Sequence, residues 1–208
     1  ADGIPSHDCI AYVISGLSPK AFQECFASWT RAVSEATGGE LIAVDGKTAR
    51  GSRDRRRGKS ALHMVSAWGC RNRLVLGQEA TAEKSNEITA IPKLLELLEL
   101  NGCIVTIDAM GCQTKIAEQI VSQGGDYVLA LKGNQSTLAT EVEDAFISAD
   151  AKDYDAMRSQ FLETAERGHG RVETRRYRTL GDLAEVPRSP LWQGMNMIGM
   201  LESERTVD

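Results

Sequence analysis

The chain has 208 residues, 42% hydrophobic and 25% charged, with a formal net charge of −5. That length buries one sizeable core with room for an insertion, and no apolar run is long enough to span a membrane. Five cysteines without C-x-x-C spacing, three scattered histidines and no charged-then-apolar leader point away from a disulfide scaffold, a zinc site or secretion, and toward a reducing cytoplasm.

Residues 1–40 read as a helical hairpin packing on the core. Ser6 caps a first helix to about Leu17, and Ser18-Pro19 opens a second, as Ser at the cap and Pro at the first helical position do. Phe22, Phe26, Trp29 and Val33 recur at helical spacing, a stripe expected to pack into the core, and Gly38-Gly39 ends the helix.

Leu41-Ile-Ala-Val then runs into Asp45-Gly46. An unbroken apolar run suits a strand buried on both faces, and Asp-Gly suits a turn at its end. Asp45 is therefore expected at the C-terminal edge of a central strand, where open α/β sheets hold ligands. Between Lys47 and Arg73 stand nine Lys or Arg against one acid, Asp54; between Arg167 and Arg178 stand five Arg against Glu173. Acid from Glu141 to Asp155 masks both patches in the total charge. Gly58-Lys59-Ser60 imitates the end of a P-loop. That loop needs glycine at position 53, where Arg53 stands, and a helix after it, where strand-like alternation stands. Contact with a phosphate backbone and a solvated loop are the two readings of this segment.

Ala61–Trp68 and Leu74–Ala80, joined by Gly69–Arg73, form an antiparallel hairpin, with His63 a hydrogen-bonded core or edge residue. Ala82–Ile88 reads as a polar loop, and a helix follows from about Ile91 to Leu100. Cys103–Asp108 repeats the apolar strand ending in Asp. Strand, helix, strand at this spacing indicates a parallel crossover, with Asp45 and Asp108 at one edge. A helix over Thr114–Gln123, a strand over Tyr127–Leu131 and an acidic helix over Thr137–Ala149 follow. Lys132, Asn134 and Gln135 come after that last strand, either as a loop cap or as contacts to DNA or the active site. The stretch 151–208 breaks the alternation: Phe161–Leu180 is β-prone around Gly168-His169-Gly170, with His169 a solvated turn residue, and Met195–Met200 reads as a strand.

The fold expected is α/β: a ribonuclease H-like mixed five-stranded sheet flanked by helices over 41–150, with a β-rich insertion toward the C-terminus over 151–208. Acids at two strand ends suit phosphodiester chemistry, because two divalent ions about 3.5–4 Å apart must flank the scissile phosphate. Mg²⁺ takes oxygen ligands and keeps several waters, so two or three carboxylates suffice.

The sequence resembles the DDE transposases of bacterial insertion sequences, in the branch of the H-repeat-associated proteins. The resemblance rests on Gly3–Asp8, Ile42–Thr48 with Arg50-Gly51-Ser52, Glu83–Ile88, Thr106–Gly111, Tyr127–Gln135 and His169–Arg175. It implies that Asp45 and Asp108 are the first two acids of a catalytic, metal-binding triad using Mg²⁺ or Mn²⁺. Lys47, Arg50, Arg53, Arg55, Arg56, Arg57, Lys59, Lys132, Asn134, Gln135 and Arg171 are the candidate DNA contacts. The implied partners are double-stranded DNA, as insertion-sequence ends and target, and a second copy of the intact chain, in a bacterial cytoplasm and not at a membrane. The family's third acid is a Glu on a later helix, in a His-Trp-x-Ile-Glu-like context absent from this sequence. Glu173 is the in-chain candidate, although Arg171, Arg175 and Arg176 beside it suit a salt-bridged strand. With its Ala1 start, the chain reads as a central, truncated and inactive fragment. A remnant that only folds or binds DNA, and a metal-dependent nuclease of the same fold, are the alternatives.

Overall fold

The computed structural model describes residues 3–37, 39–49, 52, 61–81, 87–155, 157–168 and 171–207. The chain forms two compact units, Ala1–Gly111 with Gln119–Leu129, and Cys112–Glu118 with Ala130–Asp208.

The first unit begins with helices α1 (His7–Ser15) and α2 (Pro19–Thr37). Ser6 caps α1 by accepting the Cys9 N–H at 3.3 Å, so the cap expected from the sequence is in place. The expected core stripe is not: no residue of α1 is buried, and Phe22 and Trp29 remain 58% and 49% exposed. Phe22, Phe26 and Trp29 instead lie against one another, with ring centroids 6.4 and 5.6 Å apart. Thr30 carries the inward contact, its hydroxyl donating to the Leu76 carbonyl at 3.3 Å. Val33 lies outside the described side chains.

Five strands follow: β1 (Leu41–Thr48), β2 (His63–Gly69), β3 (Leu74–Thr81), β4 (Ile104–Ile107) and β5 (Asp126–Leu129). Their order is β3-β2-β1-β4-β5. The β1–β2 and β2–β3 pairs are antiparallel, and β1–β4 and β4–β5 are parallel. This is the ribonuclease H-like arrangement. Helix α3 (Glu87–Glu96) packs on β2 and β3, burying Ala90, Ile91, Leu94 and Leu95 against the sheet face formed by Ile42, Val44, Val65, Ala67, Leu76, Val105 and Ile107. Each Val, Leu or Ile among them contributes roughly 1.5–3 kcal/mol by leaving water. The alternate residues form the opposite face, where Leu41, Trp68, Ile104 and Val128 are exposed.

Several boundaries differ from expectation, two of them near the acids. Helix α3 starts at Glu87 rather than near Ile91, because Glu87 is itself buried at the helix start; Pro92 then stands inside the helix. Strand β1 does not stop in an Asp-Gly turn. It runs three residues past Asp45, because β2 pairs with it all the way to Thr48↔His63.

The second unit holds α5 (Ser136–Ala151), whose Leu138, Ala145, Phe146 and Ala149 are buried, and a three-stranded antiparallel sheet of β6 (Ser159–Gly168), β7 (Arg171–Leu180) and β8 (Ile198–Val207). The strand expected at Met195–Met200 begins at Ile198 and extends to Val207. Leu180, Val186, Trp192 and Ile198 are buried beside this sheet or at its strand ends, while most other side chains of β6, β7 and β8 are half or fully exposed. Helix α4 (Thr114–Ser122) is shared between the units in sequence and buries Ile116, Ala117 and Ile120.

Candidate metal centre

Val44 and Ile107 are register partners in the parallel β1–β4 ladder. Asp45 is the next residue of β1 and Asp108 the first residue after β4, so the ladder brings both acids to the same end of the two strands. Both alternate away from the buried Ile42, Val44, Val105 and Ile107, and both are exposed, which puts them on one face. At a lateral strand spacing of about 4.8 Å, two carboxylates on one face can reach a shared cation. Beyond this point β4 ends while β1 continues along β2, so β4 offers Asp45–Thr48 no partner. The sheet thus has a notch where the acids sit.

The Asp108 carboxylate is oriented by its own turn: the Met110 N–H donates to Oδ1 at 3.1 Å, and the Gly111 N–H to the Asp108 carbonyl at 3.0 Å. Lys47, two residues after Asp45 and on the same face, holds Nζ 3.5 Å from Asp45 Oδ2 with its side chain 84% exposed. So exposed a pair adds little stability. The donor set is all oxygen and anionic, which suits a hard ion such as Mg²⁺ or Mn²⁺ with water completing its shell. Among the described residues, no group of three or more His, Cys, Asp or Glu is placed to hold a metal.

Arg50, Arg53, Arg55, Arg56, Arg57 and Lys59 lie outside the described residues, as does His169. The ends of the basic segment are described. The Ala49 N–H donates to Leu62 O at 2.8 Å, and the Leu62 N–H to Ser52 Oγ at 2.6 Å. The loop is therefore rooted at the same end of β1 as Asp45.

In the second unit, Lys132 and Asn134 are exposed on the turn leading into α5. Gln135 donates its amide to the Cys112 carbonyl at 3.0 Å. Arg171 is exposed at the start of β7. Glu173 accepts from Ser203 Oγ at 3.1 Å and pairs with Arg175 at 3.2 Å and Arg205 at 3.5 Å. Burial pushes its carboxyl up, but the Ser203 hydroxyl and the two guanidiniums outweigh that and hold it below its ordinary value.

His63, expected as a hydrogen-bonded core or edge residue, is buried and bonded; its partner Glu87, also buried and joined to it at 2.6 Å on the face opposite Asp45, falls in a stretch that reads from the sequence as a polar loop. A signal for it exists in the helical spacing of Ala90, Ile91, Leu94 and Leu95, which extrapolates back to a helix start near Glu87.

Residues 36–187 match the family model described as Transposase DDE domain. The H repeat-associated protein YhhI of Escherichia coli K12 is 42% identical over 99% of this chain and 54% of its own length. A protein encoded in the dhlA 3′ region of Xanthobacter autotrophicus is 43% identical over 100% of this chain and 69% of its own. YbfD of Escherichia coli K12, also H repeat-associated, is 45% identical over 84% and 68%. The chain thus spans about half of YhhI and about two thirds of the other two. A cryo-EM structure of a piggyBac transposase synaptic complex with hairpin DNA is similar at 9% identity and a TM-score of 0.36, over 67% of this chain and 30% of that one. So distant a likeness adds nothing to the strand order. No helix among the described residues is long and apolar enough to cross a membrane. The matched residues and these identities make the chain a member of the DDE transposase domain family, in its H repeat-associated branch.

Proposed function

We propose that the intact protein cuts and joins DNA phosphodiester bonds, with Asp45 and Asp108 holding divalent ions at the scissile phosphate, in the bacterial cytoplasm. The observation that supports this reading is the β1–β4 register: Val44 pairs with Ile107, and two acids 63 positions apart in sequence each come directly after that pair, where β4 ends and β1 runs on.

Divalent ions, when bound, would supply the positive charge that activates the attacking oxygen and steadies the leaving one. The chain's own part is positional. The β1–β4 ladder fixes both carboxylates, the Met110 N–H holds the Asp108 side chain, and Lys47 offers an ammonium to a phosphate oxygen on the same face. The basic segment from Arg50 to Lys59 would track the DNA backbone from its root past the end of β1.

For the 208-residue chain itself, the two-carboxylate donor set favours a narrower activity. It holds ions and DNA, and it cuts little without a further acid. Mn²⁺ titration by calorimetry tests the assignment. Binding to the parent chain should be lost in the Asp45→Ala, Asp108→Ala double variant; undiminished binding there would reject these two residues as ligands.

A further inference from the structure

On one face of β1 stand Ile42, Val44, Gly46 and Thr48, buried at the first two, half-buried at Gly46 and exposed at Thr48. The first two are apolar core, at 0% and 4% exposure. At Gly46 there is no side chain, and the space is filled from elsewhere. A Cβ built there would land on the Glu87 carboxylate and on His63 Nε2. Glu87 Oε1 and His63 Nε2 are 2.6 Å apart, and His63 Nδ1 lies 2.9 Å from Thr48 Oγ1. His63 and Glu87 are 3% and 4% exposed. A polar clamp thus replaces the apolar core at the position where Asp45 and Lys47 project from the other face.

The clamp joins three pieces of chain at this spot. Glu87 is the first residue of α3, where the helix dipole favours an anion. His63 opens β2, and Thr48 closes β1. Thr48 and His63 are also the register pair on which the basic loop is rooted. Since β4 supports β1 only as far as Val44, the segment Asp45–Thr48 has β2 on one side and the clamp beneath it. The His63–Glu87 bond is buried and Thr48 extends it toward the surface; a buried polar pair of this kind rigidifies what it touches, and losing one member leaves the other unsatisfied.

We infer that Glu87 and His63 are positioning residues for the metal centre: through Gly46 and Thr48 they hold the end of β1, and with it Asp45 and the root of the basic loop, in the ion-binding geometry. This rests on the reading of Asp45 and Asp108 as metal ligands. Glycine at 46 belongs to the same device, because any side chain would displace the pair.

The test compares Glu87→Gln, Glu87→Asp and Glu87→Ala in the 208-residue chain, well below the melting temperature and with circular dichroism confirming the fold. Gln keeps the shape and an oxygen that accepts from the imidazole; Asp keeps the charge but falls short of it. Calorimetric Mn²⁺ affinity should stay near the parent value in Glu87→Gln and fall about tenfold or more in the other two, the scale seen when groups that orient metal ligands are removed. Hydrogen exchange provides a readout that needs no metal: the amides of Asp45–Thr48 should lose protection in Glu87→Asp and Glu87→Ala while those of β4 keep it. Parent-like Mn²⁺ affinity and parent-like exchange in Glu87→Asp would overturn the inference, even if its melting temperature drops. The Asp45→Ala, Asp108→Ala variant separates the two claims. If it binds Mn²⁺ as the parent does, the metal reading fails. If it loses binding while Glu87→Asp keeps both affinity and protection, only the clamp fails.

Discussion

The five-stranded and three-stranded sheets are held by different forces, and the difference bears on which acids can serve a site. In the first, one face is closed by side chains at or near zero exposure, and the acids of interest stand on the other face with few internal partners. In the second, the strands are tied by charge. Arg176 bridges Glu163 at 2.8 Å and Glu204 at 3.4 Å, and Arg175 bridges Glu166 at 3.6 Å and Glu173 at 3.2 Å. Arg178 covers the rings of Tyr154 at 3.9 Å and Phe161 at 4.7 Å. A carboxylate that belongs to such a ladder is already neutralised. Asp45, by contrast, meets the single exposed ammonium of Lys47 at 3.5 Å, and the Asp108 carboxylate accepts the Met110 N–H at 3.1 Å.

Removing one member of each network puts this contrast at greatest risk. Leu94, fully buried between α3 and the sheet, should cost about 3 kcal/mol on Leu94→Ala, read from denaturant unfolding. Arg176→Ala, at a solvent-exposed ladder, should cost far less. Equal losses would mean that charge stabilises the second sheet as strongly as burial stabilises the first.

Under the proposed function the contrast extends to DNA through the basic segment that follows the end of β1. Replacing Arg55, Arg56 and Arg57 by Ala should weaken binding to duplex DNA irrespective of sequence. It should also flatten the salt dependence by about 0.9 in log–log slope for each phosphate left without its cation. A slope unchanged in filter-binding or anisotropy titrations would remove this loop from the interface.

A smaller effect separates Glu173 from the site acids. Its carboxyl is held below the ordinary value, so its contribution to stability is fully present above that value and is lost as pH falls through the lowered one. The β7–β8 amides should therefore lose exchange protection only in acid below the usual carboxylate range, and Glu173→Gln should flatten that dependence. A Glu173→Gln chain with the parent's acid profile would show that its partners do not hold the charged form.

Much of this layout is legible in the residues. Apolar runs ending in Asp45 and Asp108, with a helix-length segment between them, can be placed on adjacent parallel strands by crossover rules alone. The exposed stripe of α2 is not legible, because periodicity shows that Phe22 and Trp29 share a face but not whether that face is covered. The length of β1 is hidden for a related reason. Gly46-Lys47-Thr48 is locally turn-like, and only pairing with Val65, Met64 and His63 makes it a strand. The Glu87–His63 bond is a tertiary contact between residues 24 apart, beyond the reach of any local pattern.

The function proposed for the intact protein stands or falls on Asp45 and Asp108 sharing divalent ions on one sheet face. Anomalous diffraction from crystals soaked in Mn²⁺ reads this out without an activity assay. A manganese peak bonded to carboxylate oxygens of both residues is expected. Side chains on opposite faces, or manganese bound elsewhere with these two carboxylates bare, would contradict it.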